Sequence, residues 1–466
     1  MTVFTHPDLQ IIKIVINING KEPFEVPVKD ADSIDVKIPG GVKYHMTLHF
    51  QVKNKKLEDI RYIQVVKKAG ITIRTRELEI GTYEPSDETY SKDFPEDETP
   101  SGWLTRGNYN CASTYYTGQD ELFKNDWNLE INIIMSIRPA THAGTWYSNS
   151  PTKLRHQLDT FFDKAKSLGG EHSTANGIPG ARILIGPHAG YAYSGERLAE
   201  TFNVWDTSKV KRVFLLGPSH HVYFKNYALV SPYQYYETPF GNIPVDTSTI
   251  KELISKKSTR GTIFKFMSEE IDEDEHSFEM HAPYIYYKGE HAPHGVPKII
   301  PILISGMDEG LQTDIVQTLL PYMDDEENHF IISSDFCHWG SRFGYTNYVT
   351  TSDISLDNLQ KNITSLGMFQ RNEPLPIFKS IELLDKLALD IASSGSSADW
   401  KKYINISGNT ICGQKPISVV LKLLEHYENY SPGESKVFNW IGYSQSNPVR
   451  KSSESSVSYA SGYVKL

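Results

Sequence analysis

Ala181-Arg-Ile-Leu-Ile-Gly-Pro-His188-Ala-Gly-Tyr-Ala-Tyr-Ser194 runs from a block of aliphatics straight into glycine, proline and histidine. A short continuous apolar run bounded by turn residues is the signature of a buried strand. In open α/β sheets the ligand sits beyond the carboxyl ends of such strands, because only those ends meet solvent. The pattern recurs. Val213-Phe-Leu-Leu216 runs into Gly217-Pro-Ser-His220-His221, and Phe330-Ile-Ile332 into Ser333-Ser-Asp335-Phe-Cys337-His338-Trp339. Three strands, each ending in side chains that bind metals or move protons, predict a site along the edge of one sheet.

Helical patterns separate these strands. Leu154, Leu158, Phe161, Phe162, Ala165 and Leu168 share a face at the 3.6 period, and Gly169-Gly170 reads as the end of that helix. Residues 298–304 read as a further buried strand, 236–244 as a loop, and 311–323, 377–393 and 416–427 as helices. Strands alternating with helices predict an α/β domain with a largely parallel sheet over residues 135–466.

Residues 1–134 read differently. Met46, Leu48 and Phe50 alternate with Thr47, His49 and Gln51. Further strands are predicted at 11–18, 60–66, 71–75, 108–116 and 127–134, punctuated by Gly20, Gly40-Gly41, Gly70 and Gly81. Short strands with regular turn signals predict an antiparallel sandwich. A chain of 466 residues is too long for one core, in keeping with two domains. A net charge of −10 argues against a nucleic-acid partner, which needs clustered Lys and Arg. No apolar run reaches the length of a membrane span. Three cysteines make no disulfide framework, which places the expected location in the cytoplasm.

His188 and His220 each follow a strand, where imidazoles from neighbouring strands can converge on a borderline metal or simply hold a loop carbonyl. Cys412, in Asn409-Thr-Ile-Cys-Gly-Gln-Lys-Pro416, precedes a helix whose amide dipoles favour a thiolate; alone it also reads as a small buried hydrophobe. Asp335 reads as a site carboxylate or a turn former, and Cys337 as packing. In Asp272-Glu-Asp-Glu-His276-Ser-Phe-Glu279-Met-His281, His276 and Glu279 would share a helical face, suited to a proton relay or to orienting ligands. The acidic run ahead of them reads as a solvated turn and His281 as structural. His142, near Trp146 and Tyr147, can line a pocket with Tyr191, Tyr193 and Trp339 as its apolar walls, although aromatic residues of this kind are more often core than substrate platform.

Two resemblances follow from longer motifs. Tyr62-Ile-Gln-Val-Val-Lys-Lys-Ala-Gly-Ile71, Gly81-Thr-Tyr-Glu-Pro85 and Thr99-Pro-Ser-Gly-Trp-Leu-Thr-Arg-Gly-Asn-Tyr109 resemble the immunoglobulin-like domain of Rho GDP-dissociation inhibitors. The resemblance implies a slot between two sheets for the prenyl tail of a Rho-family GTPase. The family's N-terminal arm, which folds onto the GTPase, has no counterpart ahead of the first predicted strand, so lipid binding is expected to survive better than inhibition of nucleotide release. His142-Ala-Gly-Thr-Trp-Tyr147, Pro187-His-Ala-Gly-Tyr191, Gly217-Pro-Ser-His-His221, Asp272-Glu-Asp-Glu-His-Ser277, Ser333-Ser-Asp-Phe-Cys-His-Trp339 and Asn409-Thr-Ile-Cys-Gly413 resemble the Memo family of cell-motility mediators. That resemblance implies a fold shared with the catalytic subunits of class III extradiol dioxygenases. It implies an iron or copper ion on His188, His220 and Cys412, with Asp335 nearby, and redox chemistry in cytoskeletal signalling. The alternative is a non-enzymatic scaffold that uses the old dioxygenase pocket for a phosphopeptide or a cytoskeletal partner.

Overall fold

Lys43–Val52 turns Tyr44, Met46, Leu48, Phe50 and Val52 inward and the side chains between them outward, the period-2 pattern of a half-buried strand. The structure, a computed structural model, describes residues 6–19, 22–29, 31, 33–100, 107–132, 137–166, 177–367, 374–427 and 438–466. Its contacts divide into two units, Met1–Ser136 and Ile137–Leu466.

The first unit is a sandwich of two sheets. One runs in the order Phe24–Pro27, Leu9–Ile18, Lys43–Val52, Tyr90–Asp93, with Asp97–Glu98 also on Lys43–Val52. The other runs Asp35–Pro39, Asp120–Asn132, Gly107–Thr117, Leu57–Lys68, Ile71–Tyr83. Pairing is antiparallel except between Asp35–Pro39 and Asp120–Asn132. The inner faces share one core that includes Ile16, Ile38, Met46, Tyr62 and Leu129. The strands predicted at 60–66, 71–75 and 127–134 are longer than their sequence signals. Gly81 lies inside Ile71–Tyr83 rather than between strands; it faces Ile60 where the register shifts, with φ at 119°. A bulge uses glycine to re-aim a strand without ending it. Cys111 is buried and unpaired. Gly20, residues 101–106 of the quoted motif and residues 133–134 lie outside the described residues.

The second unit is built on a sheet ordered Phe264–Phe266, Ala228–Val230, Lys298–Ile304, Arg212–Pro218, Asn328–Ser333, Ala181–Gly186, Ser456–Lys465, His338–Trp339, with Asn439–Gln445 beside Ser456–Lys465. Its four middle strands, Lys298–Ile304 to Ala181–Gly186, are parallel. All of Ala181–Gly186 and Asn328–Ser333 is buried, which is why these strands carry no alternation. Helix Pro151–Lys166 buries Leu154, Leu158, Phe162 and Ala165 as its periodicity predicts; Leu168 and Gly169-Gly170 lie outside the described residues. Helices Tyr191–Asn203, Glu309–Leu319, Ile377–Ser394, Ser397–Ser407 and Gln414–His426 complete the layers. The stretch read as a loop is a hairpin, Tyr235–Thr238 with Gly241–Pro244. Four-residue strands are too short to show a period in sequence.

The parallel register brings the strand ends level: Gly186 pairs with Ser333, Leu216 with Ile332 and Pro218 with Ile304. His188, His220 and Asp335 each lie two residues past such an end.

Candidate metal centre

His188 and His220 meet edge to face, ring centroids 5.0 Å apart. Cys412 arrives from residues 409–413, just ahead of helix Gln414–His426, and its Sγ lies 3.2 Å from His188 Nε2. One donor atom from each of the three side chains lies within 4.8 Å of the others. Each is held from behind. His188 Nδ1 is 2.7 Å from Ser333 Oγ, and His220 Nδ1 is 2.8 Å from Glu275 Oε1. The Asp335 N–H donates to Cys412 Sγ at 3.2 Å, and the Gly413 N–H to Ser334 Oγ at 3.1 Å.

Burial, reinforced by His220 and His276, holds His188 well below the usual imidazole range. Burial, then the Asp335 carboxyl, pushes the Cys412 thiol well above its ordinary value. Burial also raises Asp335 to about 7, against the hydrogen bond it accepts from the His188 N–H at 2.8 Å. A cation reverses this balance, because thiolate and neutral imidazole are the forms that bind metals and loading expels the thiol proton. Two imidazole nitrogens and one sulfur suit soft or borderline ions and not calcium or magnesium. Donors sharing an ion lie at most about 4.4 Å apart, the sum of two bonds of about 2.0–2.3 Å. The three side chains therefore fit such an ion with at most a few tenths of an ångström of closure.

Asp335 lies against this trio through His188 and Cys412. His276 sits on the same side: its ring centroid is 4.2 Å from that of His220, 5.3 Å from His188 and 4.7 Å from Trp146. Glu279 is not turned to the three donors. It accepts from His142 Nδ1 at 2.8 Å, Tyr147 Oη at 2.9 Å and Arg138 Nη1 at 2.7 Å. The His142 ring, 5.9 Å from His276, stands between the two.

The acidic run is not a solvated turn. Asp272 and Glu275 are buried, the first paired with buried Arg138 at 3.1 Å, the second with His220. Sequence reading passed over Glu275 and Arg138 because their partners lie far along the chain. The usable signal was a dense acidic run beside histidine, with a lone arginine four residues ahead of His142. Of the aromatics read as pocket walls or core, Tyr191 and Trp339 are core residues, whereas Trp146 and Tyr193 are exposed. They line a cleft of about 530 Å³ with Ala189, Gly190, Arg342 and Tyr459. Cys337 is packing, buried beside Trp339 and Tyr348. His281 is buried in the interior.

Comparison with known proteins bears on both units. A family model described as "RHO protein GDP dissociation inhibitor" matches residues 2–134. One described as "Memo-like protein" matches residues 138–463. The MEMO1 family protein MHO1 of Saccharomyces cerevisiae is 42% identical over 346 residues, covering 71% of this chain and 100% of that protein. The MEMO1 family protein C4H3.04c of Schizosaccharomyces pombe is 37% identical over 328 residues, 70% of this chain and 98% of its own length. Protein MEMO1 of Danio rerio is 36% identical over 328 residues, 70% and 97% respectively. These relatives are matched almost end to end, and the chain belongs to the Memo-like family, with a unit of the Rho GDP-dissociation-inhibitor type ahead of its Memo-like one.

Proposed function

We propose that the second unit is a redox protein that holds one iron or copper ion through His188, His220 and Cys412 and acts in cell-motility and cytoskeletal signalling in the cytoplasm. The first unit, on this reading, takes the prenyl tail of a Rho-family GTPase. The observation that carries the metal reading is the convergence of three donors, from three distant stretches of chain, within 4.8 Å. A bound iron or copper ion would supply one-electron exchange with dioxygen. Asp335, raised to about 7, can hold or release a proton beside it near neutral pH. Trp146 lines the cleft, where it can contact an incoming molecule, and the His276 ring lies 4.7 Å behind it. The parallel sheet with donors beyond its carboxyl ends suits a relative of the extradiol dioxygenases. Non-haem iron oxygenases use two histidines and a carboxylate, and sulfur in the carboxylate's place argues against catechol cleavage and for electron transfer.

Element-resolved metal analysis of the whole chain tests this, wild type beside His188→Ala and Cys412→Ala. About one ion per chain is expected in the wild type, with binding weakened about 10-fold or more in each variant and oxygen uptake and superoxide release falling in step. Equal metal content in all three proteins would sink the reading. A second reading draws on the cleft, where Arg342 beside Trp146 and Tyr193 offers a cation and aromatic surface to a phosphopeptide. Metal-independent peptide binding lost in Arg342→Ala would favour that scaffold role.

A further inference from the structure

A neutral imidazole carries one N–H and one lone pair, and only the lone pair binds a metal. Which nitrogen is bare at His188 and His220 follows from what faces the other one. Glu275 Oε1 lies 2.8 Å from His220 Nδ1 and 2.9 Å from the Ser277 N–H, while Oε2 lies 2.8 Å from the His220 N–H. A carboxylate already facing two backbone donors only accepts, so His220 Nδ1 must carry the proton. Ser333 has one hydroxyl proton and donates it to the Ser277 carbonyl at 2.6 Å. Toward His188 Nδ1, at 2.7 Å, it therefore accepts, and that nitrogen too is protonated. Both Nε2 atoms are left bare, and that of His188 faces Cys412 Sγ.

The two anchors share one segment. Ser277 gives its N–H to Glu275, takes the Ser333 proton on its carbonyl, and donates its own hydroxyl to the Pro218 carbonyl at 3.2 Å. It thus ties the strand that delivers His220 to the strand that delivers Asp335. The His220–Glu275–His276 group also lies within 4.8 Å. Glu275 already faces three N–H donors there, which makes it the anchor of His220 and not a ligand to a second ion. We propose that Glu275, Ser277 and Ser333 form a tautomer clip that sets both imidazoles as Nε2 donors before any cation arrives. Glu275 acts through His220 and is a positioning residue. The proposal rests on the metal-site reading above for its purpose, but its geometry can be read without a metal.

The test uses the whole chain, metal-free and then titrated with Co²⁺. Long-range proton–nitrogen NMR of the metal-free protein should show His188 and His220 protonated on Nδ1. Glu275→Gln keeps the shape, yet either amide orientation sets its NH2 against a backbone N–H, and one of them reverses the His220 tautomer. The variant should show His220 shifted toward Nε2–H with His188 unchanged. Its Co²⁺ affinity, read from the thiolate-to-cobalt absorption, should fall about 10–100-fold. Ser333→Ala should release the His188 tautomer and spare that of His220. A wild-type His220 protonated on Nε2, or a Glu275→Gln protein with unchanged tautomer and affinity, would overturn the clip. Wild type with the stated tautomers that takes up no Co²⁺ would overturn the metal reading and leave the clip standing.

Discussion

Glu279 shows what burial does to a carboxylate that is given enough donors. Besides Arg138, Tyr147 and the His142 ring, it accepts from the His142 N–H at 2.8 Å and from Thr141 Oγ1 at 3.1 Å. Burial alone would raise it; the His142 and Arg138 contacts outweigh burial and hold it at about 2. At neutral pH it therefore orients His142 and takes up no proton, whereas Asp335, raised to about 7, titrates there. The sign of the linkage is fixed. A folded value below the ordinary 4.5 gives stability that is complete above that value and is lost as pH falls toward 2. Urea unfolding at stepped pH should show the second unit weakening across this window. Glu279→Gln should flatten the slope there and lower stability at pH 7 by about 3 kcal/mol, since it strips a buried guanidinium of one partner charge. An unchanged slope in the variant would assign the acid sensitivity to other groups.

Among the elements, the strand ends that carry the donors are crowded. At Gly413 an added Cβ would lie 2.3 Å from Ser334 Cβ and 2.9 Å from the Ser333 carbonyl. At Gly217 it would lie 2.6 Å from Ser277 Oγ and 2.8 Å from a Phe278 ring carbon. These neighbours are buried, Ser333 and Ser334 at a strand end and Ser277 and Phe278 in the short helix His276–Glu279, and have little room to yield. Gly413→Ala should cost about 1–3 kcal/mol and weaken Co²⁺ binding although every donor remains. Gly367→Ala, with nothing within 4 Å of its added Cβ, is the neutral control. Equal melting temperatures and equal cobalt affinities for the two would refute the crowding argument. The sequence reading treated Gly217 as a turn former, yet the structure uses it for close approach. The buried strands ahead of His188, His220 and Asp335 were legible because parallel strands covered on both faces leave unbroken aliphatic runs. The hairpin Tyr235–Thr238 and Gly241–Pro244 was not, being too short to show a period. The Asp272–Glu275 run was misread because a charge looks solvated until its partner is known. Arg138 stands 134 positions before Asp272 and His220 stands 55 before Glu275; linear pattern does not reach that far.

At the scale of the molecule, each unit closes its own hydrophobic core, so the two proposed activities can be tested separately in one chain. The first unit has an apolar cavity between its sheets, lined by Ile14, Ile16, Val36, Ile38, Met46 and Trp127 among others. Its room is about 80 Å³, space for a handful of waters and not for a long chain. A prenyl chain needs more than that, so on the proposed reading the sheets part to admit it. Burial of about 0.8 kcal/mol per CH2 supplies the drive to part them. On the proposed reading the lipid is then the decisive element of recognition. Pull-down with the whole chain should capture a prenylated Rho-family GTPase and leave the unprenylated form in solution. Val36→Phe, which fills the cavity, should abolish capture while the first unit keeps its own cooperative unfolding transition, showing that it is folded, and the second unit its wild-type metal content. Equal capture of both GTPase forms, or capture undiminished in Val36→Phe, would rule out the cavity as the lipid site and leave only a protein–protein contact to explain the binding.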